Sequence, residues 1–214
     1  MPTTRLILIR HGETLWNLGQ RYQGHLDSPL TDAGVLQSGA LASRLIGHAF
    51  SALYSSDLGR ALQTAEIIAK RTGHIPRTDS RLRERHLGIF QGLSKREIQQ
   101  KYPEEYALYK SGGPAHVVPN GESAAQACAR ILDCLKELAR RHPGESIVVV
   151  AHGGVLSALL VHSLGVSSGA PRRFERHNGS WNVFVCRDEK WFLETWGDVS
   201  HLEAAKFTPR TEEA

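Results

Sequence analysis

The residue that could do chemistry first in this chain is His11, in the segment Arg10-His11-Gly12-Glu13-Thr14. A neutral imidazole can attack phosphorus and form a phosphoramidate that water then hydrolyses. The attacking nitrogen must be unprotonated. A cation such as Arg10 lowers a neighbouring histidine pKa, because like charge disfavours the charged form. Arg10 can also bind a phosphate oxygen, and Gly12 lets the backbone turn tightly near an anion. Alone, an Arg-His-Gly tripeptide reads more readily as a structural histidine at a strand end, so the weight falls on its companions.

Three further segments supply them. In Ser56-Asp57-Leu58-Gly59-Arg60-Ala61, Arg60 falls in the first turn of an expected helix, where free backbone N–H groups favour an anion. Its planar guanidinium adds bidentate phosphate contacts; by itself it is an ordinary surface arginine. In Ala151-His152-Gly153-Gly154, His152 can donate to a phosphoryl oxygen or be a satisfied core histidine. In Leu82-Arg83-Glu84-Arg85-His86-Leu87-Gly88, Glu84 can protonate a leaving oxygen, since a carboxylic acid beside an anionic substrate can have its pKa raised. The plain alternative is a loop salt bridge to one of its arginines. Taken jointly, two histidines, two arginines and one acid supply nucleophile, oxyanion clamp and proton donor. Phosphoryl transfer needs mostly positioning and charge neutralisation, so the set suffices without a metal.

The elements that must position these residues are legible in outline. Leu6 to Ile9 and Ile147 to Ala151 are short, apolar and rich in branched residues, as in strands buried on both faces. Each ends in a histidine followed by glycine. Ala52 to Tyr54 is a weaker strand, and Asn182 to Cys186 pairs with a return strand from Trp191 to Trp196. Helices are expected from the cap Thr31 through Ile46 with Gly47 as stop, and over Arg60 to Arg71, capped by Asp57 and stopped by Gly73. Others are expected from Glu122 to about Arg141 and from Gly154 to Leu164. The stretch from about 93 to 120 carries Tyr102-Pro103 and Gly112-Gly113-Pro114 and reads as a partly helical inserted cap. The fold class is α/β, a mostly parallel central sheet flanked by helices, in a single domain over 1–214. Such sheets place sites beyond the C-terminal ends of strands, where His11 and His152 both fall.

Composition sets the bounds. The chain has 214 residues, 41% hydrophobic and 22% charged, with a net charge of +4. A pI near 9.1 fits either a solvated surface or a few arginines converging on an anionic substrate. No basic stripe interleaved with aromatics points to nucleic acid, and no segment is long and apolar enough to span a bilayer. Cys128, Cys134 and Cys186 form no CxxC pair, and no secretory signal is evident, so reduced thiols in a cytoplasmic protein are expected. A homodimer through an edge strand is possible.

At these residues the chain resembles the histidine phosphatase superfamily, which includes the cofactor-dependent phosphoglycerate mutases. Arg10 to Thr14 with Asn17, Tyr22-Gln23-Gly24, Asp27 to Thr31 with Gly34, the Arg60 segment, Glu84 and His152-Gly153 match in order and cover nearly the whole chain. The resemblance implies that His11 forms a phosphohistidine and that Glu84 is the general acid and then the base for water. It further implies that Arg10, Arg60 and His152 clamp the phosphoryl oxygens, while Asn17, Gln23, Gly24 and Gly153 bind substrate. No cofactor or metal is implied, and the partner is a small phosphorylated metabolite. The compact stretch from Gly92 to Glu122, without tandem arginines, favours a phosphatase like the broad-specificity bacterial members over a mutase; Glu84-Arg85-His86 also resembles mutases. A catalytically weak binding protein and a metal hydrolase are the other readings weighed. Specificity is expected to rest on the cap together with Arg85, His86 and Asn178. Tyr106 and Tyr109 form either an apolar wall or the core of the cap, and their spacing on one helix face favours core.

Overall fold

The computed structural model describes residues 2–167 and 172–204. The expected domain over 1–214 therefore includes residues 1, 168–171 and 205–214, which lie outside the described residues. Strands β1 (Thr4–Arg10), β2 (Ala52–Ser55), β3 (Pro76–Thr78), β4 (Ser146–Ala151), β5 (Trp181–Arg187) and β6 (Lys190–Asp198) form one sheet in the order β3-β2-β4-β1-β5-β6. The β1–β4, β2–β4 and β2–β3 pairs are parallel, and β5 and β6 close one side antiparallel. Every expected strand is present. The additional one, β3, has three residues and opens on Pro76; a proline is tolerated on an edge strand, and so short a run carries no periodicity to read.

Alternate residues of β1 enter different cores, which is why the run looks uniformly apolar. Ile7 and Ile9 pack with Leu41, Ala61 and Ile68 from α2 (Asp32–Ile46) and α3 (Gly59–Thr72). Leu6 and Leu8 pack on the opposite face with Ile131 and Leu135 of α6 (Ala124–Arg141) and Leu156 and Leu159 of α7 (Gly153–Ser163). Truncating one such residue to alanine costs about 2–5 kcal/mol. As expected, Thr31 caps α2 by accepting the Gly34 N–H, and Gly73, at φ +75°, ends α3.

One cap is reassigned. Asp57 does not cap α3; its carboxylate takes the Arg83 guanidinium instead. Asp27, from a distant loop, accepts both the Gly59 and the Arg60 N–H. The first N–H groups of α3 are therefore taken by the protein's own Asp27 carboxylate and are not free for a substrate anion, contrary to the sequence expectation.

The stretch from 93 to 120 contains α4 (Lys95–Lys101), started by a Ser94/Glu97 capping box, and α5 (Pro103–Ser111), separated from it at Tyr102-Pro103. It packs on a small core of its own, Leu87, Phe90, Ile98, Tyr106 and Val118. The remaining elements are two short helices, α1 (Leu15–Leu18) and α8 (Ser200–Ala204), and two 3-10 turns at Ser80–Leu82 and Gly88–Phe90.

Candidate active site

The parallel register fixes the site. Arg10 is opposite Ala151, and the His11 N–H donates to the Ala151 carbonyl at 3.0 Å. The two histidines that follow these strands therefore sit side by side, with ring centroids 5.2 Å apart in a T-shaped arrangement. Beyond the strand ends opens a cleft of about 770 Å³, lined among others by Arg10, His11, Asn17, Gln23, Gly24, Arg60 and Glu84.

The His11 ring is oriented from within its own segment. Nδ1 lies 2.8 Å from the Gly12 carbonyl oxygen. A carbonyl only accepts, so Nδ1 carries the hydrogen and Nε2 keeps the lone pair. Burial, more than any charge, holds the His11 pKa well below its ordinary 6.5, and Arg60 and then Arg10 add to it. The neutral, nucleophilic form is thus the resident form. Asn178 donates to the His11 carbonyl at 3.0 Å, so it braces the His11 backbone as well as lining the cleft. Gly12 serves packing rather than anion approach. Its N–H is taken by Thr64 Oγ1, and a Cβ there would lie 2.5 Å from the Gly34 carbonyl oxygen.

Both arginines are anchored by backbone. Arg10 Nη1 donates to the Arg176 carbonyl. Arg60, almost wholly buried, donates through Nη1 to the Leu26 carbonyl and to Asp27, both at 2.9 Å, and through Nη2 to the Gly24 carbonyl at 2.8 Å. Its Nε has no hydrogen-bond partner among the described residues. That leaves Nε–H and the second hydrogen on Nη2 for a ligand. His152 is fully buried, and neither ring nitrogen has a partner among the described residues. Burial, Arg60 and His11 keep its pKa far below 6.5. A buried polar group left unpaired costs about 1–3 kcal/mol, and here such groups cluster beside His11.

Glu84 reaches this floor through a bond to α7. Its Oε2 accepts the Gly154 N–H at 2.8 Å and its Oε1 accepts the Arg85 N–H at 2.7 Å. A Cβ at 154 would fall 2.0 Å from Glu84 Oε1, so a larger residue there would have to displace the carboxylate. The neighbouring arginines do not capture the carboxylate: Arg83 pairs with Asp57, and Arg85 donates to the Glu122 and His116 carbonyls.

Other expected residues are placed differently. Asn17 lines the cleft while completing the Thr14 capping box of α1. Gln23 is buried, its Oε1 unpartnered among the described residues. Gly153 is not among the lining residues; it admits Arg176, whose Nη1 would lie 3.1 Å from a Cβ there. His86 is also outside the lining, and Tyr106 is core, whereas Tyr109 lines the cleft with Arg85 over its ring face. Sequence reasoning missed Lys95, Lys110, Arg172 and Arg176, which reach the cleft from α4, α5 and the chain before β5. Nothing in their local spacing marks them, because the fold alone brings them together.

The family model of the histidine phosphatase superfamily (branch 1) matches residues 6–199. The chain belongs to the histidine phosphatase superfamily. This histidine phosphatase is 41% identical over 211 residues to a metal-independent phosphoserine phosphatase of Arabidopsis thaliana, covering 97% of this chain and 87% of that protein. It is 42% identical over 207 residues to the phosphoglycerate mutase-like protein 4 of the same plant, covering 94% and 88%. Among solved structures it superposes on a mycobacterial glucosyl-3-phosphoglycerate phosphatase complexed with VO3, with a TM-score of 0.77 and 34% identity, over 90% of this chain and 98% of that one. The mostly parallel sheet is the fold of these phosphatases, and the chain is an enzyme of the phosphatase class. Among the described residues no helix is long and apolar enough to cross a membrane.

Proposed function

We propose that this histidine phosphatase hydrolyses small phosphate monoesters by two displacements at His11. The Nε2 lone pair attacks phosphorus, the bond to the ester oxygen breaks, and Glu84 gives that oxygen its proton. Glu84, now a carboxylate, takes a proton from water as the water oxygen attacks the phosphohistidine. The P–N bond breaks, and phosphate and neutral His11 result. Arg10, Arg60 and His152 hold the phosphoryl oxygens, with Asn17, Gln23 and Gly24 around them and Gly153 giving room for Arg176. The guanidinium groups supply the charge neutralisation that the transition state requires, so no cofactor enters the scheme. The observation that carries this reading is the His11 ring itself, its Nδ1 held by the Gly12 carbonyl and its Nε2 left to react.

The substrate reading rests on charge. Eight of the cleft's lining residues are arginine or lysine and two are glutamate. Arg10 and Arg60 serve the phosphoryl group. The side chains of Lys95, Lys110 and Arg172 have no hydrogen bond or ion pair among the described residues. We read them as a rim, carried mainly by a cap over 93–120 of a single domain, for a leaving group that bears a second anion. Phosphoserine and phosphoglycerate esters, for which relatives above are named, have a carboxylate there. Three free cysteines fit a reducing, cytoplasmic setting, and pairing along β6 is the dimer reading, which sedimentation checks.

The mutase is a second reading on one observation: the tandem arginines absent from the cap sequence are partly supplied by Arg172 and Arg176 from outside it. The test is phosphate release from a panel of monoesters under chelator, beside isomerisation of 3-phosphoglycerate with and without bisphosphoglycerate. Release across several esters that disappears in His11→Ala supports the phosphatase. Isomer formation exceeding release makes it a mutase.

A further inference from the structure

Glu84 is held from the cleft side by two N–H groups, and a second set of contacts holds its loop from behind. Arg130, in the second turn of α6, donates through Nη1 to the Arg81 carbonyl at 2.7 Å and the Arg83 carbonyl at 3.1 Å. Its Nη2 donates to the Glu84 carbonyl at 3.3 Å and to Glu122. His25 Nε2 lies 2.8 Å from the same Glu84 carbonyl, so that nitrogen is the donor. Glu122, besides pairing with Arg130, accepts the His86 N–H at 2.9 Å. None of Arg130, Glu122 and His25 lines the cleft.

We infer that Arg130, locked by Glu122, is a positioning residue for the proton donor. Three carbonyls of the 81–84 turn converge on one guanidinium, so the turn presents those carbonyls to α6 and the Glu84 side chain to the cleft. A planar group with five donors in fixed directions can do this; a lysine ammonium, with a single nitrogen, cannot span the three carbonyls. The inference rests on Glu84 being the acid. It also distinguishes two uses of an arginine in one molecule. Arg60 presents unused N–H groups to a ligand, whereas Arg130 spends its donors on the chain.

Proton donation matters most when the leaving group is poor. An alkyl phosphate needs it, and an activated aryl phosphate such as 4-nitrophenyl phosphate hardly does. Misplacement of a catalytic group by on the order of 1 Å can cost about a hundredfold. We therefore compare kcat/KM, which reports steps up to phosphoryl transfer, for alkyl and activated aryl phosphates in Arg130→Met, Arg130→Lys, Glu122→Gln and Glu84→Gln. The expected result for Arg130→Met is an alkyl-phosphate loss of about ten- to hundredfold, with the aryl phosphate nearly unchanged. Arg130→Lys should recover part of that loss, and Glu122→Gln should show a smaller loss of the same pattern. Adding Arg130→Met to Glu84→Gln should cost little more, as for residues acting as one unit. Equal losses on both esters, or a lower melting temperature with unchanged leaving-group dependence, would reduce Arg130 to a structural role. If Arg130→Met does not fold, the Lys and Gln variants carry the comparison. Should Glu84→Gln itself show no leaving-group dependence, the acid assignment fails. Should it show one while all three Arg130 and Glu122 variants do not, only the positioning inference fails.

Discussion

The cations on the floor of the cleft and those on its rim carry the same charge under opposite conditions. Arg10 and Arg60 are buried and tied to backbone carbonyls. Lys95 and Lys110 are exposed, on separate short helices, and their side chains are unpaired among the described residues. A buried guanidinium is already desolvated and oriented, so it meets developing charge with little reorganisation, where electrostatic stabilisation is largest. An exposed ammonium works in high dielectric, screened by salt, and is worth little per contact. On the function proposed above, the floor would act on the transition state and the rim on the choice among ground states.

Each prediction separates the two regions. The largest effect belongs to His11→Ala, for which turnover should fall on the order of 10⁴-fold or more while the melting temperature stays near that of the parent, since the ring makes a single local bond. Activity near the parent level would remove the nucleophile. Next comes Arg60→Ala, expected to lower kcat by about 10²–10³ on every phosphate ester alike. It should also lower stability, because the Gly24 and Leu26 carbonyls lose their donor; substrate-dependent losses would place Arg60 with the rim.

A pH series gives an intermediate effect. Burial lowers the His11 and His152 pKa values below the ordinary 6.5, so both stay neutral in the folded state as pH falls through 6.5 while the unfolded chain takes up protons. Their contribution to stability is full above 6.5 and is lost progressively below it. Likewise the acidic limb of kcat/KM, corrected for the substrate's own ionisation near about 6, should fall below 6.5. A limb above 6.5 would contradict the neutral, buried nucleophile. Smallest is the rim: Lys95→Ala or Lys110→Ala should raise KM only a few-fold, at about 0.2–1 kcal/mol each. That loss should appear with esters carrying a second anion, should shrink with added salt, and should be absent with 4-nitrophenyl phosphate. Equal losses with both substrates would turn the rim into general steering.

The same contrast explains what could be read in advance. Residues set by a single strand, such as His11 after Leu6–Ile9 and His152 after Ile147–Ala151, were legible because a parallel sheet brings strand ends together. Thr31 and Gly73 were legible because caps are local. Asp57 looks like a cap in the sequence, but its partner, Arg83, lies across the fold, and the carboxylate that takes the first N–H groups of α3, Asp27, comes from another loop. Arg172 and Arg176 carry no local signature at all; only the folding of the chain before β5 brings them to the cleft. Gly12 reads in the sequence as a turn glycine near an anion, whereas its place is set by the close approach of Gly34, a contact between β1's end and α2 that no sequence spacing displays.

The most direct test of the account is the stereochemical course at phosphorus. A thiophosphate ester made chiral with oxygen isotopes would be hydrolysed in isotopic water and the configuration of the product determined. Each in-line displacement inverts phosphorus, so passage through a phosphohistidine at His11 predicts net retention. Net inversion would mean that water attacks the ester directly and that His11 is not the nucleophile.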